Sequence, residues 1–150
     1  KVNLDLSQNF ALTEKLRWEN TLKLQYALGN KNLDGTEDLS LGGMGGVRFY
    51  PIGEESAENG YIYNTELLYK LPNLQNLNTT ISMFYDVGKV HMSRNISTEN
   101  NRVLQDIGIG LYASYNDFFV NAHLAKNIAH EVESEKDYEN KFLVQLGWVF

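Results

Sequence analysis

The chain has 150 residues, a formal net charge of -6 and no cysteine, and at this length we expect one domain or a part of one. The lack of cysteine excludes disulfides, a thiolate nucleophile and a zinc–thiolate centre, and the negative charge argues against nucleic acid as a partner. No apolar run approaches the roughly 18–20 residues of a membrane-spanning helix. The first residues do not form a secretory signal peptide, so an exported protein would have had its signal removed or would carry it further upstream.

Seven segments of the chain alternate between apolar and polar residues, which is typical of strands with one apolar face. In the fourth segment, for example, Met83 and Tyr85 alternate with Ser82 and Asp86. The seven predicted strands cover residues 2–10, 16–26, 61–71, 81–88, 107–115, 118–127 and 142–150. The pattern predicts an all-β, antiparallel fold.

The connections between these strands alternate between short and long. Short turns are predicted near Thr13, Pro72 and Asn116, and long polar connections at 29–60, 91–102 and 128–140. Outer-membrane β-barrels show this asymmetry, with short periplasmic turns and longer external loops. The tyrosines and tryptophans also lie towards strand ends, as in an interfacial girdle: Trp18, Tyr26, Tyr61, Tyr69, Tyr115 and Trp148. The alternative is a lipocalin-like or sandwich domain, in which the apolar faces would form a dry core.

The first long connection contains the segment 39–51, in which four of five successive residues are glycines around Met44. Glycine lets the backbone adopt a positive φ and approach other groups closely. Arg48 follows, between apolar Val47 and Phe49. We interpret this segment as a loop that folds back into a barrel and places one arginine in a confined site. It is not a phosphate-binding loop, because no Gly-Lys-Ser/Thr follows the glycines.

Two carboxylates are candidates for partners of this arginine. The alternation of the third and fourth predicted strands places Glu66 and Asp86 on inward, polar faces. A bidentate arginine–carboxylate pair supplies both energy and geometry where water is scarce. We expect Asp86 to be the main partner of Arg48 and Glu66 the secondary one, holding the loop in one of two arrangements. The alternative is a solvent-exposed arginine and two unrelated acids of a pore wall.

Other candidate sites are weak. The histidines His91, His123 and His130 lack ligand-like spacing, and the acidic run 34–38 lacks a full set of calcium ligands. The charged segment 131–139 reads as a solvated loop, and no Ser-His-Asp arrangement is evident. The residues therefore predict no metal, no cofactor and no enzymatic activity.

Several of these motifs resemble one known family. Leu41-Gly42-Gly43 followed by Val47-Arg48-Phe49-Tyr50 is similar to the Leu-Gly-Gly…Val-Arg-Gly-Tyr signature in the sixth external loop of the two-partner-secretion transporters, and of the related outer-membrane barrel-assembly proteins. The strand around Glu66 and the segment 84–90 resemble two further motifs of the family. The ending 146–150, with Trp148 and Phe150, resembles the C-terminal signal read by the barrel-assembly machinery. One departure is Phe49, which stands where the family has glycine.

The resemblance implies the C-terminal seven strands of a transmembrane barrel of about sixteen strands. Residues 1–150 would form this barrel part, with the segment 29–60 folded towards the lumen. The loop residues Gly42, Gly43, Val47, Arg48 and Tyr50 would serve transport, with Asp86 and Glu66 as their lumen partners. The implied function is secretion of an unfolded partner protein across the bacterial outer membrane.

The implied partners are that passenger protein, outer-membrane lipid and, during biogenesis, the barrel-assembly machinery; nucleic acid and cofactors are not implied. Three alternatives remain open. The chain could come from a barrel-assembly factor of the same superfamily, from a passive pore for small solutes, or from a soluble ligand-binding barrel.

Overall fold

A computed structural model of the chain describes residues 1–28, 34–91, 102–129 and 139–149. The strands in these ranges are β1 (Val2–Ala11), β2 (Leu16–Tyr26), β3 (Leu39–Ser40), β4 (Ser56–Ala57), β5 (Asn59–Lys70), β6 (Leu77–His91), β7 (Arg102–Tyr115), β8 (Phe118–Asn127) and β9 (Asn140–Trp148). A 3-10 turn covers Gly35–Glu37. None of the described residues belongs to a helix that could cross a membrane.

Seven of the strands form one antiparallel sheet in the order β1-β2-β5-β6-β7-β8-β9. The only sequence-distant neighbours are β2 and β5, since β3 and β4 form a separate two-stranded ribbon between them. The predicted all-β fold with seven antiparallel strands is therefore confirmed. These seven strands form one continuous wall in which each strand pairs with its neighbours in this order.

Strand bounds differ most from the prediction in β6 and β7. β6 runs over residues 77–91 and β7 over residues 102–115, which adds residues at the start of both strands and at the end of β6. Their added residues pair in register, as in Leu77 with Tyr115 and Val90 with Arg102. The added stretches do not alternate cleanly between apolar and polar residues, so hydrogen bonding to the neighbouring strand extends them where the pattern fails. The predicted connection 29–60 is also shorter than expected, because β3, β4 and the start of β5 lie within it.

The two faces of the sheet have opposite surroundings. The outer face, formed by the even residues of β1, β2, β8 and β9 and the odd residues of β5, β6 and β7, leaves its large apolar side chains uncovered. Met83, Ile109 and Leu146 are 63%, 55% and 72% exposed. An uncovered apolar surface of this kind marks a surface that contacts something apolar. The sandwich alternative is not supported, because no second layer covers this face in the described residues.

Part of the inner face is covered by the segment 39–57, which we call the arginine loop, whereas the inner-facing residues of β1 are exposed. The hydrophobic core of the described residues lies between this loop and the sheet, and its members are Leu41, Val47, Phe49, Tyr50, Ala57, Ile62, Phe84, Val90, Leu104 and Ala125. The sequence predicted polar inner faces for the strands. The structure instead places a small apolar core there, because the loop brings its own apolar side chains to the inner face.

Candidate functional site

The arginine loop is held in a compact shape by its own backbone. Its ends pair as β3 and β4, and Leu41 then donates to the Glu55 carbonyl at 2.9 Å. Further along, the Gly43 amide donates to the Tyr50 carbonyl at 2.9 Å and the Val47 amide to the Leu41 carbonyl at 2.7 Å. These bonds satisfy backbone groups that a buried loop would otherwise leave unpaired. The loop can therefore enter a water-poor space.

The glycines of the motif allow this close backbone packing. A Cβ at Gly42 would lie 1.9 Å from the Pro51 carbonyl oxygen, and one at Gly46 would lie 2.0 Å from the Leu41 carbonyl oxygen. Gly43 adopts a φ of +96°, which is unfavourable for residues with a Cβ. Side chains at these positions would prevent the two backbone segments of the loop from packing this closely.

Neighbouring strands hold the outside of the loop. The Asn64 amide on β5 donates to the Gly46 carbonyl at 2.7 Å, and the Lys23 ammonium on β2 donates to the Gly45 carbonyl at 2.9 Å. On β6, a Cβ at Gly88 would lie 2.8 Å from the Leu41 side chain. The wall therefore provides hydrogen-bond donors to loop carbonyls from two strands, and a glycine on a third strand leaves space for a loop side chain.

Arg48 is clamped between two carboxylates. Its Nη2 lies 2.7 Å from Glu66 Oε2, and its Nε lies 3.0 Å from Asp86 Oδ2. A longer contact of 3.5 Å joins Nη2 to Asp86 Oδ1. The guanidinium carbon lies 3.8 Å from the centre of the Phe84 ring, within the range of a cation–π interaction. The structure thus brings together the three predicted residues, and Glu66 makes the shortest contact rather than a minor one.

All three charged side chains are shielded from solvent, with exposures of 8% for Arg48, 11% for Glu66 and 0% for Asp86. A buried ion pair gains little net stability from its formation, but removal of one partner costs about 3–5 kcal/mol because a charge remains unpaired. The clamp is therefore best suited to specifying where the loop sits. It contrasts with the exposed Arg17–Glu19 pair, whose arginine side chain is 56% exposed.

A third carboxylate, Asp106 on β7, also binds the loop and was missed in the sequence. It accepts a hydrogen bond from the Phe49 amide, next to the Arg48 amide that donates to Asp86 at 3.3 Å. Asp86 and Asp106 lie directly opposite each other in the β6–β7 register, and both are fully buried. The strand predicted from the sequence begins at Ile107, and the predicted connection ends at residue 102, so Asp106 lies in neither. Starting that strand one residue earlier would have placed it on the inner face.

The clamp continues along the wall through Tyr112 and His123. The Tyr112 hydroxyl donates to Glu66 Oε1 at 2.6 Å, and His123 Nε2 lies 2.9 Å from that hydroxyl. A Cβ at Gly108 would lie 2.3 Å from the Phe84 ring, so this glycine leaves room for the ring beneath Arg48. Sequence reasoning treated His123 as a plain lumen or loop residue. It does lie on the inner face, where its contact with Tyr112 joins it to the hydrogen-bond network of Glu66.

The two aromatic residues after Arg48 anchor the loop. Tyr50 is fully buried, and its hydroxyl donates to Asn127 Oδ1 at 2.8 Å. Phe49 is 2% exposed and packs edge-on against Tyr50, with ring centres 5.2 Å apart. Phe49 does not adopt a positive φ, so its backbone is open to any residue. The loss of the family glycine is therefore compatible with this loop conformation.

The remaining candidates that the structure describes lie away from the clamp. Trp148 stacks on Phe118 on the outer face, with ring centres 5.5 Å apart, while Phe150 lies outside the described residues. His91 is exposed at the end of β6, and His130 is not described. In the acidic run, Asp34 caps the 3-10 turn by accepting from the Thr36 amide at 3.0 Å. The described residues contain no group of three or more potential metal ligands.

An antiparallel wall with an apolar outer face and a loop docked on its inner face defines part of a transmembrane β-barrel. The family model described as "Haemolysin secretion/activation protein ShlB/FhaC/HecB" matches residues 1–113. The chain therefore belongs to this haemolysin secretion/activation family of two-partner-secretion transporters.

Curated relatives and a solved structure agree with this assignment. The chain is 27% identical over 143 residues to the heme/hemopexin transporter protein HuxB of Haemophilus influenzae strain 86-028NP, and 26% identical to HuxB of the strain Rd. The alignment with HuxB of strain 86-028NP covers 91% of this chain but only 25% of HuxB. The structure of CdiB from Acinetobacter baumannii matches with a TM-score of 0.67 and 25% identity, over 95% of this chain and 26% of CdiB. The chain thus spans about a quarter of the length of these relatives.

Proposed function

We propose that this chain is part of an outer-membrane transporter that secretes an unfolded partner protein, and that the docked arginine loop sets the state of the conduction pathway. The observation that carries the proposal is the clamp of Arg48 between Glu66 and Asp86, at 2.7 and 3.0 Å. Family membership supports the protein-secretion part. The named function of HuxB, heme/hemopexin transport, supports a transported cargo of some kind but does not identify the passenger of this chain.

The docked loop occupies space that a passenger would need. Its core residues Leu41 and Val47 pack onto Gly88 of the wall, so the loop lies against β6 rather than outside the barrel. An extended passenger would pass beside it, along inner-face polar side chains such as Asn121 and Gln145, which contact each other at 3.4 Å. We propose that the loop shifts between two arrangements and that the clamp determines which one is populated. A contact shifts such an equilibrium only if it is more favourable in one arrangement than in the other, and the clamp forms only when the loop is docked.

The test is secretion by the complete transporter carrying Arg48→Ala. We expect secretion of the cognate partner protein to fall at least ten-fold, because Glu66 and Asp86 would be left buried without a cation, at a cost of about 3–5 kcal/mol. Secretion is measured as passenger in the medium, and barrel insertion as heat-modifiable migration of the transporter in gels. The matched control is Arg17→Ala, which removes an exposed arginine from the same inner face.

The outcomes separate the alternatives. Reduced secretion with normal insertion supports the proposal, and normal secretion by Arg48→Ala refutes the assigned role. Poor insertion of other barrels when the transporter is removed, without any secreted partner protein, would indicate an assembly factor. Small-solute conductance that does not respond to Arg48→Ala, without any protein substrate, would indicate a passive pore.

Membrane placement is part of the same proposal. The exposed apolar outer face would contact outer-membrane lipid, and the segment containing Trp148 and Phe150 would be recognised by the barrel-assembly machinery. We propose that the seven-stranded wall forms the C-terminal part of a barrel of about sixteen strands. The sequence upstream of this chain tests that part: about nine further alternating strands, preceded by periplasmic domains, would support it.

A further inference from the structure

The outer face of the sheet carries very few charges, and all of them have the same sign. In the described strands, no outward-facing position is an aspartate or a glutamate. The outward-facing residues that can carry charge are Lys89, His91 and Lys126, which we call the cation collar. This is unexpected for a chain with a net charge of -6.

The collar lies at one end of the sheet. Lys89 and His91 are within the last three residues of β6, and Lys126 is the next-to-last residue of β8. Both strands run at that end into the long connections, which in outer-membrane barrels lie on the external side. The opposite end, with the short turns, presents the stacked aromatic pair of Phe118 and Trp148 outward. The outer face is therefore cationic on its external side only.

An apolar cavity opens beside the collar. It has a volume of about 550 Å³, and its lining includes Val2, Leu4 and Leu24 together with Lys89 and His91. The apolar side chains belong to β1 and β2, and the cations come from β6, across β5. The cavity thus combines an apolar wall with a positively charged rim. These two parts are complementary to the acyl chain and the anionic headgroup of a lipid.

The collar cations have no anionic partner in the described part of the protein. The ion pairs there involve Arg17 and Arg48, and neither Lys89 nor Lys126 takes part in one. A charged side chain at the edge of an apolar membrane region is costly unless it reaches water or pairs with an anion. Lysine at this depth is long enough to extend towards lipid headgroups.

We propose that Lys89 and His91, the two collar residues that line this cavity, bind the phosphate of an anionic membrane lipid in the external leaflet, with an acyl chain of that lipid in the cavity. The proposal rests on the membrane placement proposed above. A free phosphate ion would leave the apolar wall of Val2, Leu4 and Leu24 uncovered. An acidic protein segment would match the cations but not an apolar wall that faces the bilayer.

The test uses the complete transporter in detergent, with phosphatidic acid as the phosphomonoester probe and phosphatidylcholine as the zwitterionic reference. Native mass spectrometry measures how much of each lipid is bound at equal concentrations. We expect wild type to prefer phosphatidic acid, and Lys89→Gln to lower that preference about five-fold, the factor for one lysine near an anionic surface. Lys126→Gln, which changes a lysine outside the cavity lining, should lower it less. The matched control is Lys70→Gln, which removes the same charge on the inner face at the end with the short turns.

Each outcome bears on the proposal. Equal binding of the two lipids by wild type would overturn it, as would an equal loss in Lys70→Gln. Displacement of the bound lipid by inorganic phosphate alone, at equal concentration, would identify a free-ion site and overturn the lipid assignment. Secretion assays remain a separate readout: loss of lipid preference with normal secretion supports the lipid site, whereas loss of secretion in Arg48→Ala concerns only the proposed transport role.

Discussion

The inner and outer faces of this sheet are built from alternate residues of the same strands, yet they differ in which residues are exposed and which are buried. On β6, Met83 is 63% exposed while Asp86, three residues on, is fully buried. On the outer face, apolar side chains are uncovered. On the inner face, the arginine loop covers the carboxylates. In a soluble protein these placements would be reversed. The difference is the one expected of a sheet with lipid outside and a protected polar site inside, as proposed above.

The largest expected effect comes from a charge placed on the outer face. Met83→Arg puts a guanidinium among the exposed apolar residues of the central strands. In a bilayer we expect a cost of about 2–4 kcal/mol near the midplane. The yield of folded, heat-modifiable transporter and its urea midpoint in lipid vesicles measure this.

The control for that variant is Asn121→Arg, on the polar inner face of β8. It should fold as well as wild type, or nearly so. Equal folding yields for the two variants would mean that the outer face does not contact lipid, and the comparison between the faces would fail.

A smaller effect is expected on the inner face at Asp106. Asp106→Ala removes the acceptor of the Phe49 amide and leaves a buried donor unpaired, at a cost of about 1–3 kcal/mol. The loop should then be undocked more often, which limited proteolysis within residues 39–57 would detect as faster cleavage in intact proteoliposomes. Asp5→Ala, at an exposed inner-facing position of β1, is the matched control. If both variants are cleaved at the wild-type rate, Asp106 does not position the loop.

The smallest effect sharpens the description of the clamp. Tyr112→Phe keeps the ring but removes the hydroxyl that links Glu66 and His123, with an expected cost of about 0.5–1.5 kcal/mol to docking. The variant should show intermediate cleavage of the loop and partly reduced secretion. Tyr115→Phe alters an exposed tyrosine on the outer face of the same strand, and it should behave as wild type. A Tyr112→Phe variant with unchanged cleavage would show that His123 and Tyr112 do not support Glu66.

Much of the wall was predictable because alternation has a local cause. A strand places successive side chains on opposite faces, so the positions of Glu66 and Asp86 on the inner face follow from their neighbours. The Arg48 contact could be proposed because one cation in an apolar loop needs an anion when it is buried. Asp106 was not found because its strand begins in a stretch without alternation, where pairing with β6 extends the strand.

The sequence by itself determined that the chain forms seven antiparallel strands with one apolar face each, since a period of two is readable from neighbouring residues. The sequence also contains the glycines that allow close backbone packing within the arginine loop. Only the tertiary structure decided that Tyr112 and His123 support Glu66, that Asp86 and Asp106 are opposed, and that an apolar core lies on the inner face. These contacts join residues far apart in the chain, so they depend on the register of the strands and on where the loop docks.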